Sequence, residues 1–389
     1  MEAKKKSPQL IDKRCIHFLS GERLPAAFPA TQTRPLVGVL EGTGIGPSVI
    51  AATLTVLKSV EQVLNFKCEI RHGGLIGEDA IKEHGQWLPE DTVEFCADVF
   101  QRGGAILNGP GGGRYVYDLR RRFDLFCKFI PVRPVDDLLC AGKIHPGQLR
   151  GLDLLIVRDN TGGVYQGQWG DRATEKGRVA EHSFSYSDAE VHRIVEVASR
   201  AAASRRGELC VIIKDGGVPT ISALWRDVGT ALARRYGIEA TFMNVDLAAY
   251  EIIQNPRRFD VIVAPNLFGD IIADVAGLLV SSRGVTFSGN FDPQGHGVYQ
   301  TNHGCAHDLM GMDVANPGGQ IYSLAMMLRE SFGLFEAATL IEKALGETWR
   351  QGWRTADVGG PGCRILGTEA MAAKVAEQVL RSAETMQPA

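Results

Sequence analysis

Apolar positions along the 389-residue chain alternate between two periods. Pro35-Leu36-Val37-Gly38-Val39-Leu40 is a short continuous apolar run that reads as a buried strand, closed by a glycine-rich turn. From Pro47 to Val63 apolar residues recur at helical spacing, with proline in the first turn, where its missing N–H costs no intrahelical bond. Further strands are expected at 105–107, 152–157, 209–213, 240–245 and 261–263, and helices at 187–205, 222–235, 247–255 and 318–332. This alternation predicts an α/β protein with helices covering a mostly parallel or mixed sheet. Two polar, glycine-rich stretches, 109–114 and 289–297, read as functional loops rather than linkers.

Composition narrows the class. Hydrophobic content of 44% and charged content of 22% are those of a globular chain, and the length suits two domains. The net charge of −3, from 42 basic and 45 acidic side chains, gives no basis for a nucleic-acid partner. No window approaches 18 uninterrupted apolar residues, so no membrane span is expected. The first 35 residues mix Lys4-Lys5-Lys6 with Glu2, Asp12 and Glu22, and their apolar run is too broken for a signal peptide. They are expected to be a poorly ordered extension or a surface flap. Eight scattered cysteines show no CxxC and no zinc spacing, which suits buried or half-buried thiols in a reducing, cytoplasmic setting.

Three features carry candidate chemistry. The turn Glu41-Gly42-Thr43-Gly44-Ile45-Gly46-Pro47 permits close approach of a ligand, but its GxGxG spacing is not the dinucleotide fingerprint, and taken alone it reads as a plain structural turn. In 259–274 an apolar strand ends at Pro265 and a helix is expected to begin near Gly269. Asp270 and Asp274 then share a helical face, where they repel unless a divalent cation binds or solvent screens them. Asp246, after another strand, could supply a third oxygen. Tyr165, in the Arg158–Tyr165 segment, and Lys214 lie just past strand C-terminal ends, where open α/β sheets place ligands. They are a candidate acid and base, or else structural side chains.

GTGIGP at 42–47, DNTGGVYQG at 159–167, NLFGDIIAD at 266–274, HGCAHDLMG at 303–311 and ANPGGQIYSLAMML at 315–328 together resemble the isocitrate/isopropylmalate dehydrogenase family of metal-dependent β-decarboxylating dehydrogenases. The resemblance runs from about residue 36 to about residue 380. It implies an isopropylmalate dehydrogenase-like two-domain fold with mixed sheets, flanking helices and a cleft between domains, not a Rossmann fold. Residues 35–125 and 281–389 would form a large cofactor-side domain, 126–280 a small domain carrying the metal, catalytic and dimerisation elements, and 1–34 an extension. Asp246, Asp270 and Asp274 would hold Mg2+ or Mn2+, with Asp246 coming from the second subunit of a homodimer. Tyr165 would protonate the enol carbon, and Lys214 of the partner subunit would help deprotonate the substrate hydroxyl. Arg120 and Arg158 would grip carboxylates of a small hydroxy-acid substrate. On the cofactor side stand Gly44, His303 with Gly304, and Asn316, the last two side chains meeting the adenine. Asp308 would meet the ribose hydroxyls and repel a 2′-phosphate, which favours NAD over NADP.

The chain departs from this pattern in four places. Thr43 and Ser48 replace acidic residues in the glycine loop. Ile130 stands where the family has a second carboxylate-binding arginine. If 119–131 is a strand, Lys128 faces the same way as Ile130 and could supply the missing charge. Asp215-Gly216-Gly217 follows Lys214 where a small residue and asparagine are usual. The 111–118 loop lacks the residues typical of either housekeeping substrate, and its Arg114 could pair with a distal anion while Tyr115 and Tyr117 line a pocket. The expected activity is oxidation, with decarboxylation, of a substituted malate. A catalytically silent regulatory subunit and a tartrate-like oxidation without decarboxylation are the alternatives.

Overall fold

The computed structural model describes residues 14–19 and 34–386. The first part of the chain supplies β1 (Leu36–Leu40), α1 (Gly46–Leu64), β2 (Glu69–His72), α2 (Gly77–His84), α3 (Glu90–Gln101), β3 (Ala105–Asn108) and α4 (Tyr115–Arg122). The middle supplies β4 (Cys127–Val132), α5 (Pro146–Leu149), β5 (Leu154–Asp159), β6 (Gln168–Thr174), β7 (Gly177–Ser183), α6 (Asp188–Ala203), β8 (Glu208–Ile213), α7 (Pro219–Tyr236), β9 (Glu239–Asn244), α8 (Val245–Gln254), β10 (Val261–Ala264) and α9 (Asn266–Ala276). The last part supplies β11 (Phe287–Phe291), β12 (Gly297–Thr301), α10 (Gly318–Glu330), α11 (Phe335–Arg350), β13 (Trp353–Arg354), β14 (Arg364–Ile365) and α12 (Thr368–Met386).

One ten-stranded sheet runs through the molecule in the order β2-β1-β3-β12-β11-β4-β5-β10-β8-β9. Its flanks are parallel, while β12-β11-β4-β5 at its centre are antiparallel. The expected mixed α/β sheet is present, and its strand order is not that of a doubly wound dinucleotide domain. β1 and β5 are buried at every position, as apolar strands covered by helices on both faces must be. Proline opens α1 and α7, and a reciprocal Ser187–Glu190 capping box opens α6, so local signals agree with the packing.

Several elements differ from expectation. The stretch 119–131 is not a continuous strand. Tyr115 and Leu119 bury one face of α4, Asp124 turns the chain at a φ of 45°, and β4 starts only at Cys127. Residues 289–297 are not a loop but part of the β11–β12 hairpin. A Cβ on Gly289 would come within 2.7 Å of the Phe291 ring, so that glycine serves strand packing. The helix expected near residue 269 begins at Asn266, and the strand expected through residue 245 ends at Asn244, placing Asp246 in the first turn of α8. Cys140 is exposed, whereas the other cysteines are buried or half-buried; all eight are free thiols. The N-terminal extension also holds a buried 3-10 turn, Cys15–Phe18, in place of the expected flap; the rest of the expected extension lies outside the described residues. Among the described residues no helix is long and apolar enough to cross a membrane.

Candidate active site

A cleft opens beside the C-terminal ends of β3 and β5, lined by 110–113, Tyr115, Val116, Tyr117, Arg120, Lys128, Arg158, Asp270, Asp274, Arg283 and 300–304. It encloses about 730 Å3, counting space open to solvent. Arg158 is its most constrained member. Its guanidinium pairs with Asp270 through Nη1, and Nε and Nη2 donate to Asn266 Oδ1 at 3.2 and 2.8 Å. A Cβ on Gly269 would lie 2.8 Å from Arg158 Cγ, so glycine there lets α9 lie against the arginine stem. Asn266 also donates to the Gly162 carbonyl at 3.0 Å. Asp159 accepts from Gly162 N at 2.9 Å and from the Tyr186 hydroxyl at 3.1 Å. These bonds hold the turn that carries Tyr165.

Three cations converge. Lys128 pairs directly across β4–β5 with Arg158, so both side chains lie on one face, and Arg120 reaches in from α4. All three are almost fully buried. Burial, then Arg120 and Arg158, pushes the Lys128 amine well below its usual value. Burial, then Arg158, lowers Arg120 to about 10. Only Arg158 has a carboxylate within ion-pairing distance among the described residues, and Arg120 Nε is buried without a hydrogen-bond partner. Buried charge left unpaired is costly, so the geometry is that of a site for an anion not supplied by the protein. Ile130 shares the face of Lys128 but lines a separate apolar cavity with Val132, Ala276 and Val280.

Asp270 meets this cationic face. Burial works against its ionisation, but Arg158, Lys128, the Tyr165 hydroxyl and Arg120 outweigh it and hold the carboxyl low. Tyr165 donates to Asp270 Oδ2 at 2.8 Å. Burial first, then the Asp270 charge, pushes the Tyr165 hydroxyl up, so it keeps its proton. Asp274, one turn along α9, is raised by burial despite Arg283 Nη2 at 3.2 Å. Asp270 and Asp274 form an all-oxygen pair suited to a hard divalent cation. The third aspartate is elsewhere: Asp246 pairs with Lys214 at 2.7 Å in an exposed contact, and neither residue lines the cleft. Among the described residues no group of three or more His, Cys, Asp or Glu side chains could hold a metal.

Arg114 does not line the cleft. It stacks over Trp169 of β6 at 4.4 Å and Tyr117 at 5.4 Å, donates to the Tyr165 carbonyl at 3.3 Å, and has Asp118 3.7 Å away. Tyr117 does line it, its ring 4.9 Å from that of Tyr165. Toward the other end stand His303 and Gly304. Partial burial holds the His303 imidazole below its usual value, and a Cβ on Gly304 would meet only open space. Asp308 is exposed on a 3-10 turn. The Asn316 amide already accepts from Gly318 N at 2.9 Å and donates to Asp357 at 3.1 Å. Gly44, with a φ of 62°, sits where a Cβ would fall 2.2 Å from the Cys305 carbonyl oxygen, so the glycine loop is packed backbone to backbone against the 303–311 segment. Sequence reasoning missed Arg283 and Gln300–Asn302. Gln300–Asn302 carry a signal in the sequence, their place directly before the 303–311 motif, whereas Arg283, ahead of β11, carries none. Thr301 Oγ1 and Asn302 Oδ1 are buried without partners.

Comparison with known proteins adds to this geometry. A family model described as isocitrate/isopropylmalate dehydrogenase matches residues 36–375. A 3-isopropylmalate dehydrogenase from Gloeobacter violaceus is 36% identical over 364 residues, covering 90% of this chain and 98% of that protein. Another from Pseudomonas fluorescens is 37% identical over 349 residues, covering 86% and 95%. Among solved structures, isocitrate dehydrogenase from Methylococcus capsulatus superposes with a TM-score of 0.79 at 27% identity, covering 89% of this chain and 99% of that one.

Proposed function

Since the chain belongs to the isocitrate/isopropylmalate dehydrogenase family, we propose that it oxidises and decarboxylates a 3-substituted malate, using NAD and a divalent cation. The observation that carries this reading is the set of three buried cations, Arg120, Lys128 and Arg158, with one protein carboxylate in ion-pairing distance. A substrate with two carboxylates supplies the missing charge and turns an unfavourable burial into charge-assisted hydrogen bonds. Lys128 takes the place of the arginine absent at position 130.

Asp270 and Asp274 would hold Mg2+ or Mn2+ together with Asp246 of the partner subunit, and the cation when bound supplies Lewis-acid polarisation of the oxygen at C2. His303, Asn316 and Asp308 would hold the adenosine end of NAD, which when bound would supply the acceptor for the hydride leaving C2. Lys214 of the partner subunit takes the hydroxyl proton. The C3–carboxylate bond then breaks, CO2 leaves, and its electron pair enters the enolate. Tyr165, which holds its proton tightly and points it at Asp270, delivers that proton to C3. Tyr117 walls the space around the 3-substituent. Arg114, held between Tyr117 and Trp169, orders that wall and is not a substrate ligand.

The small lobe, 126–280, and the large lobe, 35–125 with 281–389, meet at the β4–β11 pair. A homodimer is supported by Leu247 and Tyr250 of α8 and Ile271 of α9, large apolar side chains exposed on two helices packed together. The β6–β7 hairpin, exposed along nearly its whole length, offers a second surface for such a contact.

The test is incubation with NAD, Mn2+ and a panel of 3-substituted malates, following NADH and CO2 together. Both products in equal amounts from at least one member are expected. No NADH from any member would overturn the enzymatic reading in favour of a regulatory subunit, NADH without CO2 would remove decarboxylation, and a preference for NADP would remove the role given to Asp308.

A further inference from the structure

The matched family region starts at residue 36, and Arg14–Leu19 lies before it. This segment is nonetheless built into the core: Cys15, Ile16, Phe18 and Leu19 are 3 to 9% exposed. Two sets of bonds hold it, one on each side. Arg14 Nε donates to the Glu330 carbonyl at 2.9 Å, and its Nη2 donates to the same carbonyl at 2.5 Å and to that of Ser331 at 3.4 Å. Ile16 N donates to the Glu330 carboxylate at 3.1 Å. Those partners end α10, which packs on β11, β12 and β3. On the other side Arg200 of α6 donates to the carbonyls of Phe18 and Leu19 at 3.2 and 3.3 Å. α6 packs on β5, β8 and β10. Between the two, the Phe18 ring meets Phe129 of β4 edge-on at 6.5 Å.

Phe129 follows Lys128 on β4, so the two side chains point to opposite faces of the sheet. Lys128 faces the cleft, and Phe129 faces the rear. The segment therefore spans the back of the β4–β11 pair, bonded to a helix of each flank.

We propose that Arg14–Leu19 is a strap across the rear of the hinge that sets how far the cleft opens. For two lobes that pivot at β4–β11, opening the front brings the rear faces together and closing it draws them apart. The apolar wedge of Ile16 and Phe18 resists the first movement by contact, because packed side chains do not compress. The bonds from Arg14 to α10 and from Arg200 to the strap resist the second. The strap thereby keeps the ligand-free cleft near the angle at which Arg120, Lys128 and Arg158 converge, and it raises the fraction of molecules competent to bind. The link to catalysis rests on the dehydrogenase reading; the link to lobe angle does not.

The experiment uses the full-length chain as Arg14→Ala, Arg14→Ala/Phe18→Ala and Phe18→Leu. Solution X-ray scattering is recorded without ligands and with 3-isopropylmalate and Mn2+, alongside KM and kcat for the 3-substituted malates that turn over. The double variant is expected to show a larger radius of gyration when ligand-free and a larger contraction on binding. Its KM should rise about three- to tenfold, with kcat changing less, as follows when the competent fraction falls. Phe18→Leu, which keeps an apolar side chain and most of its volume in the wedge, should lie closer to wild type than the double variant. Should the double variant not fold, Arg14→Ala, which removes bonds that resist closing and leaves the wedge that resists opening, carries the test with a shift of opposite sign, a smaller ligand-free radius of gyration than wild type. Ligand-free scattering identical to wild type in the folded variants would overturn the strap, whatever the activity. Absence of turnover in the wild type itself would overturn the dehydrogenase reading and leave the scattering result standing.

Discussion

At the scale of single residues, the proposed function divides the cleft's side chains between binding and chemistry, and two substitutions test the division. Lys128 is buried beside two arginines, and among the described residues the charges of Asp270 and Asp274 act on it only from beyond ion-pairing distance, so an incoming anion would stabilise its cation. Lys128→Ala removes one charge-assisted bond, worth about 1.5–3 kcal/mol, so KM should rise about 10- to 100-fold. An unchanged KM would return the lysine to a packing role. Tyr165→Phe keeps the ring against Tyr117 but removes the proton aimed at Asp270. Loss of a positioned acid costs about 10²- to 10⁴-fold in kcat; a drop confined to KM would contradict its role. That Tyr165, Asp270 and Asp274 gather at one cleft was legible in advance, because all three stand in motifs recognisable by their residue order. The shared face of Lys128 and Ile130 follows from the period of a strand. The position of Arg114 was not legible, because its stacking on Trp169 joins residues 55 positions apart, and no local pattern encodes that contact.

Elements were readable where periodicity is long and failed where glycine or charge disguised it. α1, α6 and α7 lie close to where apolar spacing and their openings place them. The β11–β12 hairpin was hidden because Gly289 and Gly297 are chosen for packing within strands, and glycine in isolation signals a loop. The buried turn at Cys15–Phe18 was hidden for another reason: its partners, Glu330 and Arg200, are far away in sequence. That turn has a pH consequence. Glu330 is buried, and burial, opposed by the Ile16 N–H, Arg329 and Arg14, leaves its carboxyl pushed up to about 7. The folded state thus binds this proton more tightly than the unfolded chain, whose glutamate titrates near its ordinary value of about 4.3. The stabilisation is complete below that lower value and is lost as pH rises toward 7, at no more than about 1.4 kcal/mol per pH unit. Glu330→Gln keeps an acceptor for Ile16 and cannot titrate. In urea unfolding, wild type should therefore lose stability relative to the variant between pH 5 and about 7. A difference that stays constant, or grows in favour of wild type, would show that Glu330 is ionised throughout.

For the whole molecule, the decisive fact is that one chain divides the chemistry in two. Tyr165, Asp270 and Asp274 gather with the cations of the cleft, while Lys214 and Asp246 pair with each other in an exposed contact outside it. α8 and α9, which carry Asp246 and the other two aspartates, also expose Leu247, Tyr250 and Ile271. On the proposed reading, a two-fold dimer through these helices would present each chain's Lys214 and Asp246 to the other's cleft, since an isologous contact exchanges the same patch in both directions. Complementation tests this directly. Lys214→Ala and Asp270→Asn should each inactivate their own dimers. When the two are mixed and allowed to exchange subunits, a hybrid holds one site with both defects and one with none. Random exchange makes half the dimers hybrid with one working site in two, so activity should recover to about one quarter of wild type. If each chain instead assembles its site alone, every site in the hybrid carries one defect, and mixing restores nothing.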